Sequence, residues 1–272
     1  MRLLIATGGA PHSELAVRLG AYIAPTTGKA PTILTVIRHK SDRPRAEAVL
    51  AQARSLLEAN GAVVHTRIRV GHPAEEIVAE AAEGRYDVIL LGDKHAHDLV
   101  TRLLGSTVKK VLVQAPCPVI IAKGKVEPVH RILLCDSGAE SVSLLDRFTT
   151  RLANLARDPE ITVLHVMSQI SAGPGVSGRQ LRADAEELIR EHTPEGTLLE
   201  RDIEILARLN LHLDTKVRHG FVVNEIVGEA RNGDYDLIVI GAHRGKGWQR
   251  FLLEDLAFQI IMHADRPVLV LR

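Results

Sequence analysis

Short apolar runs rich in β-branched residues recur along the chain, separated by stretches in which apolar residues fall at helical spacing. In the first half the runs are about Leu3 to Thr7, Thr32 to Ile37, Val63 to Arg69, Asp87 to Leu91 and Pro118 to Ala122. Between the second and third, Ala46, Val49, Leu50, Ala53, Leu56 and Leu57 share one face of a helix. Strands alternating with helices predict a mostly parallel sheet with covering helices. The strands are almost continuously apolar, which predicts burial on both faces.

The pattern occurs twice. Gly71-His72-Pro73-Ala74-Glu75-Glu76-Ile77 leads to Gly84-Arg85-Tyr86-Asp87-Val88-Ile89-Leu90-Leu91-Gly92. At one constant offset, Gly220-Phe221-Val222-Val223-Asn224-Glu225-Ile226 leads to Gly233-Asp234-Tyr235-Asp236-Leu237-Ile238-Val239-Ile240-Gly241. The starts agree, Arg2-Leu3-Leu4-Ile5 against Arg131-Ile132-Leu133-Leu134, and so do the ends, Pro118-Val119-Ile120-Ile121 against Pro267-Val268-Leu269-Val270. Such self-similarity is a tandem duplication. It predicts five-stranded α/β domains over residues 1–124 and 129–272, joined near Lys123-Gly124-Lys125-Val126-Glu127-Pro128.

The second copy carries an insertion at about 168–209. Ser168 to Gly178 is rich in glycine and serine and reads as a loop. Leu181 to His192 and Leu198 to Leu209 read as helices around a turn at Thr193-Pro194-Glu195-Gly196.

Composition narrows the function. The chain of 272 residues is 46% hydrophobic, with a formal net charge of +1 and 3% aromatic residues. Neither a basic stripe nor a set of stacking aromatics is present, which argues against nucleic acid. No apolar run approaches the roughly 18 residues of a membrane span. Cys117 and Cys135, within expected strands, read as small core residues in a reducing compartment. A cytoplasmic, soluble protein is expected.

Candidate chemistry gathers at Leu91-Gly92-Asp93-Lys94-His95 and at Gly105-Ser106-Thr107. In an open α/β sheet, ligands bind at the carboxyl ends of strands. A helix N-terminus there offers free N–H groups and a positive dipole end to an anion. Gly105 would admit phosphate oxygens closely, with hydroxyl donors from Ser106 and Thr107. Equally, Gly92 could simply make a turn and Ser106 cap a helix. A metal set of Asp93, His95, His97 and Asp98 lacks a distant partner. Glu75 and Glu76 after Pro73 are ordinary helix-start residues. Ser13 reads as an N-cap rather than a nucleophile, and Trp248 as a loop or interface anchor.

Gly92, two residues, His95, nine residues and Gly105-Ser106 resemble the ATP-binding signature of the universal stress protein family. Ile5-Ala6-Thr7-Gly8-Gly9-Ala10-Pro11-His12-Ser13, Val70-Gly71-His72-Pro73-Ala74-Glu75-Glu76-Ile77 and Ala115-Pro116-Cys117-Pro118-Val119 resemble it as well. The likeness spans both halves. It implies two Rossmann-like domains, similar to adenine nucleotide alpha hydrolases, that form a pseudo-dimer within the chain. Pro118 to Ala122 would then lie antiparallel to Pro267 to Leu271, with a further homodimer or an unidentified protein partner open.

The resemblance also implies ATP or another adenine nucleotide, with Mg²⁺ accompanying it as one possibility. Thr7, Gly8 and Val36 would face base and ribose, and Gly92, His95, Gly105, Ser106 and Thr107 the phosphates. Gly8 stands where the family usually has aspartate, and His95 replaces its middle glycine. In the second copy Arg244 falls at the middle glycine and Glu254-Asp255 at Gly105-Ser106, so that site is expected to be empty, despite Lys246 and Arg250 nearby. There is no Walker lysine, no evident carboxylate for Mg²⁺ and no base for an attacking water, so ATP hydrolysis should be weak at most. The alternative is an interaction scaffold with both sites degenerate.

Overall fold

The structure is a computed structural model that describes residues 1–93, 104–136, 155–167, 184–207, 212–241 and 248–271. It divides into two compact units, Met1–Val129 with Ala264–Arg272, and His130–His263.

In the first unit β1 (Leu3–Ala6), β2 (Thr32–Ile37), β3 (His65–Val70), β4 (Val88–Gly92) and β5 (Val119–Ala122) alternate with α1 (Pro11–Ile23), α2 (Arg43–Ala59), α3 (Pro73–Glu83) and α4 (Ser106–Gln114). The strands lie in the order β3-β2-β1-β4-β5, all parallel. Leu3, Leu4, Ile5, Ile33, Leu34, Ile89, Leu90, Ile120 and Ile121 are 0% exposed, so the central strands are covered on both faces as their apolar runs require. Ala46, Leu50, Ala53 and Leu57 are the buried face of α2, with Val49 and Leu56 flanking it half-buried.

The third strand departs from the expected pattern. β3, His-Thr-Arg-Ile-Arg-Val, has no fully buried residue, because it ends the strand order and pairs only with β2 among the described residues. Charged side chains on such an edge oppose pairing with another chain.

The last strand of the chain, β10 (Val268–Leu271), belongs to this first unit. It runs antiparallel to β5, with Val268 opposite Ile121, Leu269 opposite Ile120 and Val270 opposite Val119. The expected contact between the final strands of the two copies is therefore present. Its approach is fixed by Gly124, at φ +58°, where a Cβ would run into the Asp265 carbonyl oxygen; Lys125 N–H donates to that same oxygen at 2.9 Å.

The second unit contains β6 (Arg131–Asp136), β7 (Glu160–Met167), β8 (His212–His219) and β9 (Leu237–Gly241), parallel in the order β9-β6-β7-β8. Its helices are α5 (Ala185–Arg190), α6 (Pro194–Ala207), α7 (Val222–Asn232) and α8 (Trp248–His263). Thr193-Pro194-Glu195-Gly196 is not a turn between helices but the start of α6. Pro194 takes the first helical position, and Thr193 Oγ1 accepts from Gly196 N–H at 3.0 Å. A side chain at Gly196 would strike the Leu188 carbonyl of α5, so the two helices meet at this glycine. The expected loop Ser168 to Gly178 lies outside the described residues.

Candidate functional site

The connectivity of the first unit defines a crevice. From β1 the chain proceeds to β2 and β3 on one side, then returns as β4 on the other side of β1. The carboxyl ends of β1 and β4 thus flank a topological switch point, the place where open α/β sheets bind ligands. Thr7 and Gly8 follow β1, Gly92 and Asp93 close β4, and Gly105 is the N-cap of α4.

The loop after β1 is tied to itself. Thr7 is buried, and its Oγ1 donates to Ser13 Oγ at 3.1 Å while accepting from Gly9 N–H at 3.3 Å. Ser13 Oγ accepts from Gly8 N–H at 3.3 Å and donates to the Ala10 carbonyl at 2.8 Å. Thr35 Oγ1 on β2 donates to the Thr7 carbonyl at 3.0 Å. Ser13 is therefore not the N-cap expected of it. Ala10 holds that position, and the serine, in the first turn of α1, staples the loop to the helix. Gly8 is exposed, with nothing within 4 Å of where a Cβ would stand, and Val36 is half-buried near the end of β2.

The two glycines of the second element differ in what the fold asks of them. A Cβ on Gly92 would run into the His12 carbonyl, so glycine is needed there for α1 to pack on the end of β4. Gly105 has φ −55° and ψ 140°, a conformation open to any residue, and its Cβ would meet only Asp93 Oδ1 at 3.7 Å. Among the described residues, neither backbone nor packing requires Gly105 to be glycine. Ser106 is exposed and Thr107 half-buried on the first turn of α4.

Asp93 is a charged group of this crevice. Its N–H donates to the Ala122 carbonyl at 3.1 Å, which fixes its backbone to the end of β5. Its carboxylate is buried, and Oδ1 accepts from Gly105 N–H at 3.4 Å, a long hydrogen bond. His95, His97 and Asp98 lie outside the described residues, as do Arg244 and Lys246; so do the side chains of Trp248, Arg250, Glu254 and Asp255. Among the described residues no group of His, Cys, Asp and Glu could hold a metal ion by itself.

Sequence reading missed a second polar constellation, built once in each unit. Glu80 on α3 is 3% exposed. Its Oε2 accepts from Arg69 Nη1 at 2.9 Å, its Oε1 accepts from Tyr86 OH at 3.2 Å, and Arg67 Nε stands 3.2 Å away. Glu229 on α7 is likewise 3% exposed, held by Lys216 at 2.9 Å and by Arg218. In each unit an arginine covers the tyrosine ring, Arg2 over Tyr86 at 5.3 Å and Arg131 over Tyr235 at 5.1 Å. Glu83, Glu76 and Glu80 together hold the Arg69 guanidinium above its ordinary value, and Arg69 in turn lowers Glu83. Burial pushes Tyr86 up. Burial also pushes Glu229 up, but hydrogen bonds from Lys216 and Arg218 outweigh it and leave the carboxyl below its usual range. Both glutamates occupy the apolar stripe of their helices, Glu80 between Ile77 and Ala81 and Glu229 between Ile226 and Ala230. A carboxylate in such a stripe was the available signal.

Cys117 and Cys135 are buried and not joined in a disulfide, Cys117 lying just ahead of β5 rather than within it. Among the described residues no helix is long and apolar enough to cross a membrane.

Residues 1–123 and 128–272 each match the model of the universal stress protein family, and the chain belongs to that family as a tandem of two such domains. A universal stress protein of Methanocaldococcus jannaschii is 34% identical over 28% of this chain, the match spanning 45% of that relative. One from Synechocystis is 21% identical over 86% of this chain and 74% of its own length. The crystal structure of a universal stress protein from Archaeoglobus fulgidus aligns over 99% of this chain and 95% of its own with a TM-score of 0.70; at 20% identity the likeness is one of fold.

Proposed function

We propose that the N-terminal domain binds ATP or another adenine nucleotide in the crevice between β1 and β4, and that the chain acts in the cytoplasm as a nucleotide-responsive stress or regulatory protein. Base and ribose lie toward Thr7, Gly8 and Val36. The phosphates lie toward Gly92, His95, Gly105, Ser106 and Thr107, at the N-terminus of α4. The observation that carries this reading is Gly105. Among the described residues neither its backbone angles nor its neighbours call for a glycine, whereas close approach of a phosphate to a helix N-terminus does. The exposed Gly8, with open space around it at the end of β1, supports the same crevice.

The second domain, with Glu254 and Asp255 in place of Gly105 and Ser106, leaves its own site empty and serves as the structural partner of the first. The glycine motif lacks a Walker lysine, and in this reading turnover of ATP is weak at most. Mass spectrometry of ligand released from the purified chain tests the reading. Adenine nucleotide near one per chain supports it; a ligand-free chain that also fails to bind added nucleotide overturns it.

One observation favours the scaffold reading. The hydroxyls of Thr7 and Ser13 satisfy each other and the loop's own N–H groups, so the base end of the crevice is complete without a ligand.

A further inference from the structure

The feature of the crevice that neither the family signature nor the proposed function uses is Asp93. Its carboxylate is 4% exposed and stands at the N-terminus of α4, with Oδ1 3.4 Å from the N–H of Gly105. That is the position an anion drawn by the helix dipole would take. The backbone cannot carry the side chain away readily, because Asp93 N–H is bonded to Ala122 on β5 and Gly92 before it is wedged against the His12 carbonyl. A bare phosphate reaching Gly105 therefore meets a fixed, poorly hydrated negative charge, and the low local dielectric strengthens the repulsion.

A divalent cation reverses the sign of that encounter. Mg²⁺ takes oxygen ligands, commonly one or two carboxylates together with substrate phosphates, and a carboxylate beside the phosphate end of a crevice fits that donor set. We propose that Asp93 makes the N-terminal crevice selective for the divalent-cation complex of a nucleotide and discriminates against the free polyphosphate anion. The inference rests on the nucleotide reading of the same crevice. It gives a role to a carboxylate that the sequence reading had only as one of four close-set metal donors, and Asp93 thereby acts as a specificity-determining residue. Lys123, 2% exposed, follows the β5 residue paired with Gly92 and is a described cation that could offset Asp93 instead. If it does so fully, the cation has no role, and the experiment separates the two outcomes.

The test is calorimetric titration of ATP into the full chain in excess Mg²⁺ and in EDTA, for the wild type, Asp93→Asn and Asp93→Ser. Asn keeps an acceptor for Gly105 N–H and the side-chain volume, and Ser serves if Asn unfolds the domain. The wild type is expected to lose about tenfold or more in affinity when Mg²⁺ is removed, an effect of one unscreened like charge at short range. The variants are expected to bind free ATP more tightly than the wild type and to bring the Mg²⁺-to-EDTA affinity ratio close to one. The same ratio in all three proteins overturns the role of Asp93 and leaves nucleotide binding intact. No binding by any of them in either buffer overturns the nucleotide reading and this inference together.

Discussion

Lys216 on β8 places its Nζ 2.9 Å from Oε1 of Glu229 on α7, and Arg218 takes the other carboxylate oxygen of this 3% exposed residue. The glutamate ties the edge strand of the second unit to α7. Its folded pKa is lowered, the hydrogen bonds from Lys216 and Arg218 overcoming burial. A carboxyl with a lower pKa in the folded than in the unfolded chain binds fewer protons when folded. Its contribution is present above the unfolded value of about 4.3 and is lost as pH falls through the folded one. Lys216, raised by its bond to Glu229, contributes below its unfolded value and loses that only at alkaline pH. Glu229→Gln should cost about 1–3 kcal/mol at neutral pH, because hydrogen bonds to a buried charge are replaced by weaker ones. It should also flatten the acid limb of stability. Urea unfolding of both proteins from pH 7 to pH 3 reads this out, and parallel pH profiles would count against it.

Gly92 and Gly8 should respond oppositely to a methyl group. Gly92→Ala forces a Cβ into the His12 carbonyl, a backbone atom that cannot rotate away, and overpacking of this kind costs roughly 1–3 kcal/mol. Gly8→Ala has open space and should leave stability within about 0.5 kcal/mol. Thermal unfolding monitored by circular dichroism compares them. Equal midpoints would mean that α1 moves to relieve the contact.

The duplication and the alternation of strands and helices within each half were legible because apolar runs and glycine positions repeat, and the pairing of the final strands followed from the family resemblance. Exposure of β3 was less so. Its alternation, with arginine at 67 and 69, belongs to a strand at an edge, and a chain read locally does not reveal which strand ends the sheet. The role of Ser13 escaped for a related reason. A serine near a helix start reads as a cap, whereas here the chain turns one residue ahead of Pro11 and leaves Ser13 facing the Thr7 hydroxyl. Asp93 was visible only as one of several close-set donors. Its meaning comes from α4 beginning beside it, a tertiary fact.

Gly105→Glu should abolish measurable nucleotide affinity while leaving the fold in place. Glutamate at the N-terminus of α4 is favourable to the helix dipole by about 0.3–1 kcal/mol, and among the described residues its Cβ would meet only Asp93 Oδ1, at 3.7 Å, so the thermal melt separates loss of binding from unfolding. Calorimetry with ATP and Mg²⁺, beside a thermal melt, makes the comparison. Unchanged affinity would move the phosphates away from α4.

The pairing of β5 with β10 sets the last expectation. Val119, Ile120, Ile121 and Ala122 are all 0% exposed, and β10 covers the edge of β5 that β4 does not. A chain ended after Lys123 keeps the five parallel strands but opens that apolar edge, and an open edge of this character invites pairing with another chain. The truncated protein should therefore dimerise through β5 or aggregate, and adding a soluble peptide of residues 264–272 should shift it toward monomer. Analytical ultracentrifugation across a concentration series decides the matter. A stable monomer at high concentration would show that β5 needs no partner, and the retention of the second copy's last strand in this sheet would then require another explanation.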